Sequence, residues 1–266
     1  MITYRDLVAA LGDLGLDGTS RVIAHADLAG MPGWVGGAES VVGALRSTVE
    51  VLLMPAFTYR TMVVPPVGPP NNGLTYEGHE EANREAEIFH LDLPVDETLG
   101  PVPEVLRRME GTRRSTHPIL SFCVSGAPEA LERQSLDEPL APIAWLAEYD
   151  GDVLLLGTDQ RRNVSLHWAE ALAGRKRFVR WALTTRGVME CRNMPGCSEG
   201  FGAIWERLGG VATTLTLGNA RLERVPLRDL LNIASAWIRE DPEALLCLRK
   251  SCQRCAAVRA DLRDKV

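Results

Sequence analysis

His167 and Glu170 are the two residues whose types and spacing point most directly to acid–base chemistry. They lie at i and i+3 of Ser165-Leu-His-Trp-Ala-Glu170, a stretch that reads as a helix with Ser165 as its N-cap, so they share one face. An imidazole with a carboxylate one turn on is the pair a general base needs. The carboxylate orients the ring and stabilises the charge left when a proton is taken. The positive field of a helix N-terminus disfavours a resting imidazolium there. Two rivals are weaker. His167-x-x-Glu170 supplies only two ligands and His-Glu-x-x-His is absent, so no metal is assigned to this centre. Ser165 and His167, at i and i+2, do not face each other, and no Gly-x-Ser-x-Gly elbow occurs.

Other stretches leave two chemistries open. Asp27-Leu-Ala-Gly-Met-Pro-Gly-Trp-Val-Gly-Gly37 carries four glycines between a strand and a helix, which suits a phosphate cradle or a tight packing turn. It matches neither a Rossmann nor a Walker fingerprint. Arg113-Arg-Ser-Thr-His-Pro118 could bind phosphate or form a solvated turn. Between Glu77 and Glu97 stand eight acidic residues against one basic, Arg84, either a solvated surface or an acidic wall for a polycation. Six cysteines sit at 123, 191, 197, 247, 252 and 255. Cys247-x4-Cys252-x2-Cys255 resembles half of a zinc site that only Cys191-x5-Cys197 would complete, and reduced thiols packed in a terminal helix are the expected alternative.

The elements that must position these residues follow from periodicity. Residues 3 to 15 read as an amphipathic helix, Arg21 to Ala26 as a strand, Ala38 to Val49 as a helix, and Val51 to Phe57 as a strand. A Pro- and Gly-rich connection from about Arg60 to Gly78 reads as a lid or substrate wall. A short helix opens at Pro101 or Pro103, a strand spans Ile119 to Val124, and a helix runs from Ala141 to Tyr149. Val153 to Leu156 is an apolar, bounded run, the pattern of a strand buried on both faces. It delivers the chain to the crevice at the carboxyl end of a sheet, where ligands bind in open α/β folds. Phe178 to Leu183 reads as a strand, 192–198 as a loop, Phe201 to Leu208 as a short helix, and 211–217 with 221–225 as a hairpin. Two helices, Leu227 to Arg239 and Pro242 to Leu262, finish the chain.

Composition is that of a globular protein: 45% hydrophobic and 24% charged residues over 266 positions, read as one domain over residues 1–266. No apolar run approaches the ~20 residues of a membrane span, and the start lacks a secretory pattern, so no membrane partner and a cytoplasmic location are expected. The net charge of −6 argues against nucleic acid and favours cationic ligands.

Several blocks, in order and spacing, resemble the aminoglycoside 3-N-acetyltransferase family: His25-Ala-Asp-Leu-Ala-Gly with Gly33-Trp-Val-Gly-Gly-Ala38, Met54-Pro-Ala-Phe-Thr58, Leu93-Pro-Val-Asp-Glu-Thr-Leu-Gly100, Arg114-Ser-Thr-His-Pro118 with Ser121, and Val153-Leu-Leu-Leu-Gly157 with Asn163-Val-Ser-Leu-His-Trp-Ala-Glu170. The resemblance runs from about residue 3 to 240. It implies a three-layer α/β/α sandwich with a C-terminal hairpin and helices, acetyl-coenzyme A as donor, and acetyl transfer to an amine of an aminoglycoside antibiotic, a small polycationic substrate, by a monomer or homodimer. It implies His167 as base and Glu170 as its carboxylate; a donor must also meet the developing oxyanion, and Thr58 and backbone N–H groups of the glycine loop are the candidates. Coenzyme A contacts are expected from His25, Ala26, Asp27, Leu28, Gly33, Trp34, Val35, Gly36, Gly37, Arg114, Ser115, His117 and Ser121. Acceptor contacts are expected from Asp96, Glu97, Glu104, Asp159 and Asn163. Where the family commonly has two serines after the first histidine, this chain has Ala26 and Asp27, so a hydroxyl contact to the cofactor is lost and Asp27 is free to face the amine. A same-fold enzyme for another amine and a non-catalytic coenzyme A or cation binder are the alternatives.

Overall fold

A computed structural model describes residues 1–264. In chain order the elements are α1 (Tyr4–Asp13), β1 (Arg21–Ala26), α2 (Gly37–Thr48), β2 (Val51–Pro55), β3 (Met62–Val63), α3 (Glu80–Glu85), α4 (Pro101–Arg108), β4 (Arg113–Arg114), β5 (Phe122–Ser125), α5 (Ala141–Glu148), β6 (Asp152–Leu156), α6 (Ser165–Leu172), β7 (Phe178–Thr184), β8 (Gly187–Met194), β9 (Thr213–Leu217), β10 (Ala220–Pro226), α7 (Leu227–Glu240) and α8 (Gln253–Arg263). Seven strands form the main sheet in the order β4-β5-β2-β1-β6-β10-β9. Its centre, β2-β1-β6, is parallel, and antiparallel strands extend it on both sides.

The alternation of apolar residues along the central strands makes the layers. Val153 and Leu155 of β6, with Ile23 of β1, pack into a core with α5, α6 and α7; Leu154 and Leu156, with Val22 and Ala24, pack into a second core with α1, α2 and α4. Both faces are therefore covered, which is why β6 reads as a continuous apolar run. The expected three-layer α/β/α arrangement is observed. A small second sheet, β3-β7-β8, lies beside the first core and contributes Phe178, Ala182, Cys191 and Met194 to it. Among the described residues no helix is long and apolar enough to cross a membrane.

Four boundaries differ from expectation for identifiable reasons. The strand expected at Ile119 begins only at Phe122, because the Ile119 and Leu120 amides donate to His117 Nδ1 at 3.2 and 2.9 Å in a tight turn. The first three residues of the segment expected as a loop at 192–198 are strand: β8 runs to Met194 as the partner of β7, an edge strand whose mostly polar face hides its pattern. The helix expected from Pro242 starts only at Gln253, since Arg175 takes the Pro242 and Ala244 carbonyls and Leu245 adopts a left-handed φ of 64°. Ser165 is the first residue of α6, after Val164 as N-cap, and its amide is received by Asn163 Oδ1 at 3.1 Å.

The Pro-rich connection is a strap. Asn72 is buried, accepts from the Val179 amide at 2.9 Å and donates to the Val179 carbonyl at 3.0 Å, while Asn71 donates to the Ala257 carbonyl at 3.2 Å. These contacts tie it along β7 and to α8, in place of the lid or substrate wall expected; of the stretch, Met62 lines the cavity that also holds His167.

Candidate active site

The first two turns of α6 carry the pair found in the sequence. His167 Nδ1 lies 2.6 Å from Glu170 Oε2, and Arg175 Nη1 donates to Glu170 Oε1 at 2.9 Å. All three residues are buried. Arg175 also donates to the Pro242 and Ala244 carbonyls at 2.8 and 2.7 Å, so the carboxylate is held from two sides and its cationic partner is itself locked. The edge of Phe201 meets the imidazole at a centroid distance of 4.7 Å, further fixing the ring. With Nδ1 occupied, Nε2 is the ring nitrogen left for a ligand.

That ring lines a cavity of about 520 Å³ beyond the carboxyl ends of β1, β2 and β6, walled by Phe57, Tyr59, Leu99, Leu120, the 194–199 loop and Arg254. Arg161, Arg162 and Arg180 also line it, against the single carboxylate of Glu199. Burial lowers Arg180 to about 10. A polar cavity of about 620 Å³ adjoins, lined by Asp27, Gly30, Gly157, Thr158, Asp159, Arg161, Arg162, Ser198, Glu199, Asn219 and Arg221. A third of about 260 Å³ holds His25, Asp27, Glu97, Thr98 and Arg162. Arg162 borders all three and donates to the Thr98 carbonyl at 2.9 Å. Burial first, and Arg162 second, pull His25 down to about 3, so its imidazole is neutral; its Nε2 is buried without a partner.

The crevice exists because two backbones touch. Gly157, at a φ of 63°, ends β6 against the loop that follows β1, and a Cβ on Gly30 would lie 1.7 Å from the Gly157 carbonyl oxygen. Only glycine permits that approach. Asp27 has a local duty here: its carboxylate accepts from the Ala29 amide at 2.9 Å and caps the turn Leu28–Gly30.

The structure gathers some expected residues and disperses others. His167, Glu170, His25, Ala26, Asp27, Glu97 and Asp159 stand at or beside the connected cavities. Thr58 does not: its hydroxyl donates to the Pro118 carbonyl at 2.7 Å and its amide to the Ile119 carbonyl at 2.9 Å, so neither donor is free for an oxyanion. Gly33, Trp34, Val35, Gly36 and Gly37 line none of these cavities; Ile2 pairs with Trp34, and the Trp34 indole donates to the Gly37 carbonyl. Leu28 packs against the second core.

The second basic block is also structural. Arg114 donates to the carbonyls of Leu91, Leu93 and Ala56 and to Ser121 Oγ, which leaves no fork for a phosphate. Ser121 donates to the Ala56 carbonyl, and Ser115 Oγ receives the Phe122 amide. His117, pushed down to about 4 mainly by burial, lines a separate cavity beside Phe89 and Gln134. Glu104 is bound by Arg107 and Arg108 and receives the Val95 amide; these contacts outweigh its partial burial and hold it down at about 2. Asp96 caps the turn at Thr98, and Asn163 is fully buried between Gln160 and Ser165. Of the acidic run, Glu97 alone borders these cavities, while Glu80, Glu81 and Glu85 ride the exposed α3.

Sequence reasoning missed Arg175, Arg161, Arg162 and the 194–199 wall. The adjacent arginines in the loop from β6 to His167 were a usable signal; Arg175 was not, because its value comes from carbonyls near 242–244.

Comparisons with known proteins agree with this geometry. A family model described as aminoglycoside 3-N-acetyltransferase matches residues 23–239. Aminoglycoside N(3)-acetyltransferase VII of Streptomyces paromomycinus is 30% identical over 268 residues, covering 90% of this chain and 92% of that protein. The solved apoenzyme of aminoglycoside acetyltransferase AAC(3)-IVa superposes with a TM-score of 0.77 at 24% identity, over 97% of this chain and 96% of that one. A binary complex of AAC-IIIb with CoASH gives 0.73 at 23% identity, over 90% and 96%. At such identities the two structures speak for the fold, and the sequence matches for descent. With a catalytic-type His–Glu pair on the sheet's carboxyl-end crevice and a family match across most of its length, the chain belongs to the aminoglycoside 3-N-acetyltransferase family, a family of acyltransferases.

Proposed function

We propose that the protein transfers an acetyl group from acetyl-coenzyme A to an amine of an aminoglycoside, with His167 as general base. The observation that carries this reading is the His167–Glu170 contact of 2.6 Å on the wall of the 520 Å³ cavity. An ammonium has no lone pair, so the acceptor must lose a proton before it attacks. His167 Nε2 takes that proton while Glu170, held by Arg175, stabilises the positive ring. Acetyl-coenzyme A supplies the activated thioester. As the carbon–sulfur bond breaks, His167 returns that proton to the departing thiolate, and the second proton that the nitrogen sheds in becoming an amide passes to solvent, so the acetyl group ends on nitrogen and coenzyme A leaves as the thiol.

The chain offers a fit for both substrates. Arg161, Arg162 and Arg221 line the polar cavity at the β1–β6 crevice, where the phosphates of the donor would meet them. The Gly30–Gly157 approach leaves backbone, not side chains, at the crevice floor. Asp27, Glu97, Asp159 and Glu199 are the carboxylates that line these cavities; Asp159 is held by Arg161 and Glu199 by Arg249, so Asp27 and Glu97 are the ones that would receive acceptor ammonium groups.

A second reading rests on charge. The His167 cavity holds four arginines, 161, 162, 180 and 254, against Glu199, which favours an acceptor with a single amine or an anionic group over a dense polycation. Purified protein, acetyl-coenzyme A and two acceptor sets, aminoglycosides and singly charged amines, with free-thiol release as readout, separate the two. Thiol release confined to the aminoglycosides supports the first reading and release confined to the simpler amines the second. None with either set overturns both.

A further inference from the structure

Behind the wall of the His167 cavity, four cysteine sulfurs converge from distant parts of the chain. Cys197 follows β8, Cys247 and Cys252 lie in the turns before α8, and Cys255 lies in its first turn; their Sγ atoms are all within 4.8 Å of one another. Cys197, Cys247 and Cys255 are buried and Cys252 is half-buried. The pair expected from spacing, Cys191 and Cys197, is split: Cys191 faces the core from β8, and Cys197 alone joins the three tail cysteines. We propose that Cys197, Cys247, Cys252 and Cys255 hold one structural zinc ion.

Three observations carry this. First, a tetrahedral zinc with bonds of about 2.3 Å places its sulfurs about 3.8 Å apart, so a set within 4.8 Å closes on the metal by side-chain rotation alone. Sulfurs this close leave room for a single ion, and an all-sulfur set rejects magnesium and calcium. Second, all four thiols are free, and no disulfide among the described residues ties any of them up. Third, the surroundings are cationic. Each thiol gives its proton to solvent on binding, which leaves the centre with two excess negative charges. Arg259 Nη2 donates to the Cys247 carbonyl and Arg254 Nη1 to the Gly196 carbonyl, both at 3.0 Å, and Arg249 and Lys250 flank the cysteines; against these four cations stand two carboxylates, Glu199 paired with Arg249 and Glu243 paired with Arg259.

The ion would fasten the tail to the active-site wall. Pro195, Gly196, Cys197, Ser198, Glu199 and Arg254 all line the His167 cavity, and the segment before α8 has no regular structure from which to draw rigidity. Zinc binding does the work that helix or sheet hydrogen bonds do elsewhere in the chain.

The test is the metal content of the full chain, purified in reducing buffer without chelator from zinc-supplemented cells. About one zinc per chain is expected, released as four thiols are titrated with an organomercurial. Cobalt exchanged into the same protein should show thiolate charge transfer and the intense visible bands of a tetrahedral centre. Cys252→Ser should lose the metal, while Cys123→Ala and Cys191→Ala keep it. Should the Cys252 variant fail to fold, the zinc content and cobalt spectrum of the unaltered protein decide alone. Substoichiometric zinc with no tetrahedral cobalt spectrum overturns the proposal, as do disulfides among these four cysteines in the purified protein or zinc retained in full by folded Cys197→Ser and Cys252→Ser variants.

Discussion

At the scale of single residues, the proposed mechanism makes Glu170 the link between catalysis and stability. One carboxylate oxygen faces His167 and the other Arg175, all out of water, so the group that orients the base is itself oriented by a buried cation. Arg175→Met would leave that carboxylate uncompensated, which costs about 3–5 kcal/mol in comparable buried pairs. We expect a lower denaturation midpoint and a fall in kcat larger than any rise in KM, with Arg175→Lys recovering part of both; unchanged kcat in a folded Arg175→Met variant would show that Glu170 holds its place unaided. His25 and His117 make a second prediction. Both are held below the ordinary 6.5, at about 3 and about 4, chiefly by burial. The unfolded chain then binds more protons between those values, so the stability they confer is complete above pH 6.5 and is lost as pH falls toward 4. For His117 alone the loss approaches about 3 kcal/mol. Two imidazole resonances should remain in the neutral form at pH 5.5; protonation of both near pH 6.5 would contradict the burial argument.

At the scale of elements, the site depends on how β1 and β6 end. The close contact of Gly30 with Gly157 sets the crevice that the three cavities share. Gly30→Ala forces the two backbones apart, and overpacking of this kind costs about 1–3 kcal/mol. A thermal scan should show the loss, with weakened coenzyme A binding; a variant with unaltered stability and binding would mean the crevice opens without strain. Much of this level was legible beforehand. Strand β6 announced itself as an apolar run because both its faces are covered, and α6 placed His167 and Glu170 on one face because helical spacing leaves no other choice. What escaped was set by partners far away in sequence. Arg114 looked like a phosphate ligand and is a clamp on the carbonyls of Ala56, Leu91 and Leu93. Glycines 33, 36 and 37 looked like a cradle, and their segment is anchored by Ile2. Local chemistry cannot tell a donor awaiting a ligand from one satisfied across the fold, since both have the same sequence.

At the scale of the whole molecule, charge is distributed against the net. The chain carries −6, yet the cavity at His167 is arginine-rich, and the acidic run expected there lies largely at the surface, on and around α3. Under the proposed function, an arginine-lined cavity suits an anionic donor and the carboxylates at its margin suit an amine, which would separate the two substrates by sign. The proposed zinc site would fix one wall of that cavity from behind. The account stands or falls on His167. In steady-state assays of coenzyme A release with an aminoglycoside acceptor, His167→Ala should lower kcat by about 100-fold or more while coenzyme A affinity, measured by calorimetry, stays within a few-fold of the unaltered protein. A fall of less than about tenfold, with affinity retained, would remove His167 as the base and with it the mechanism proposed here.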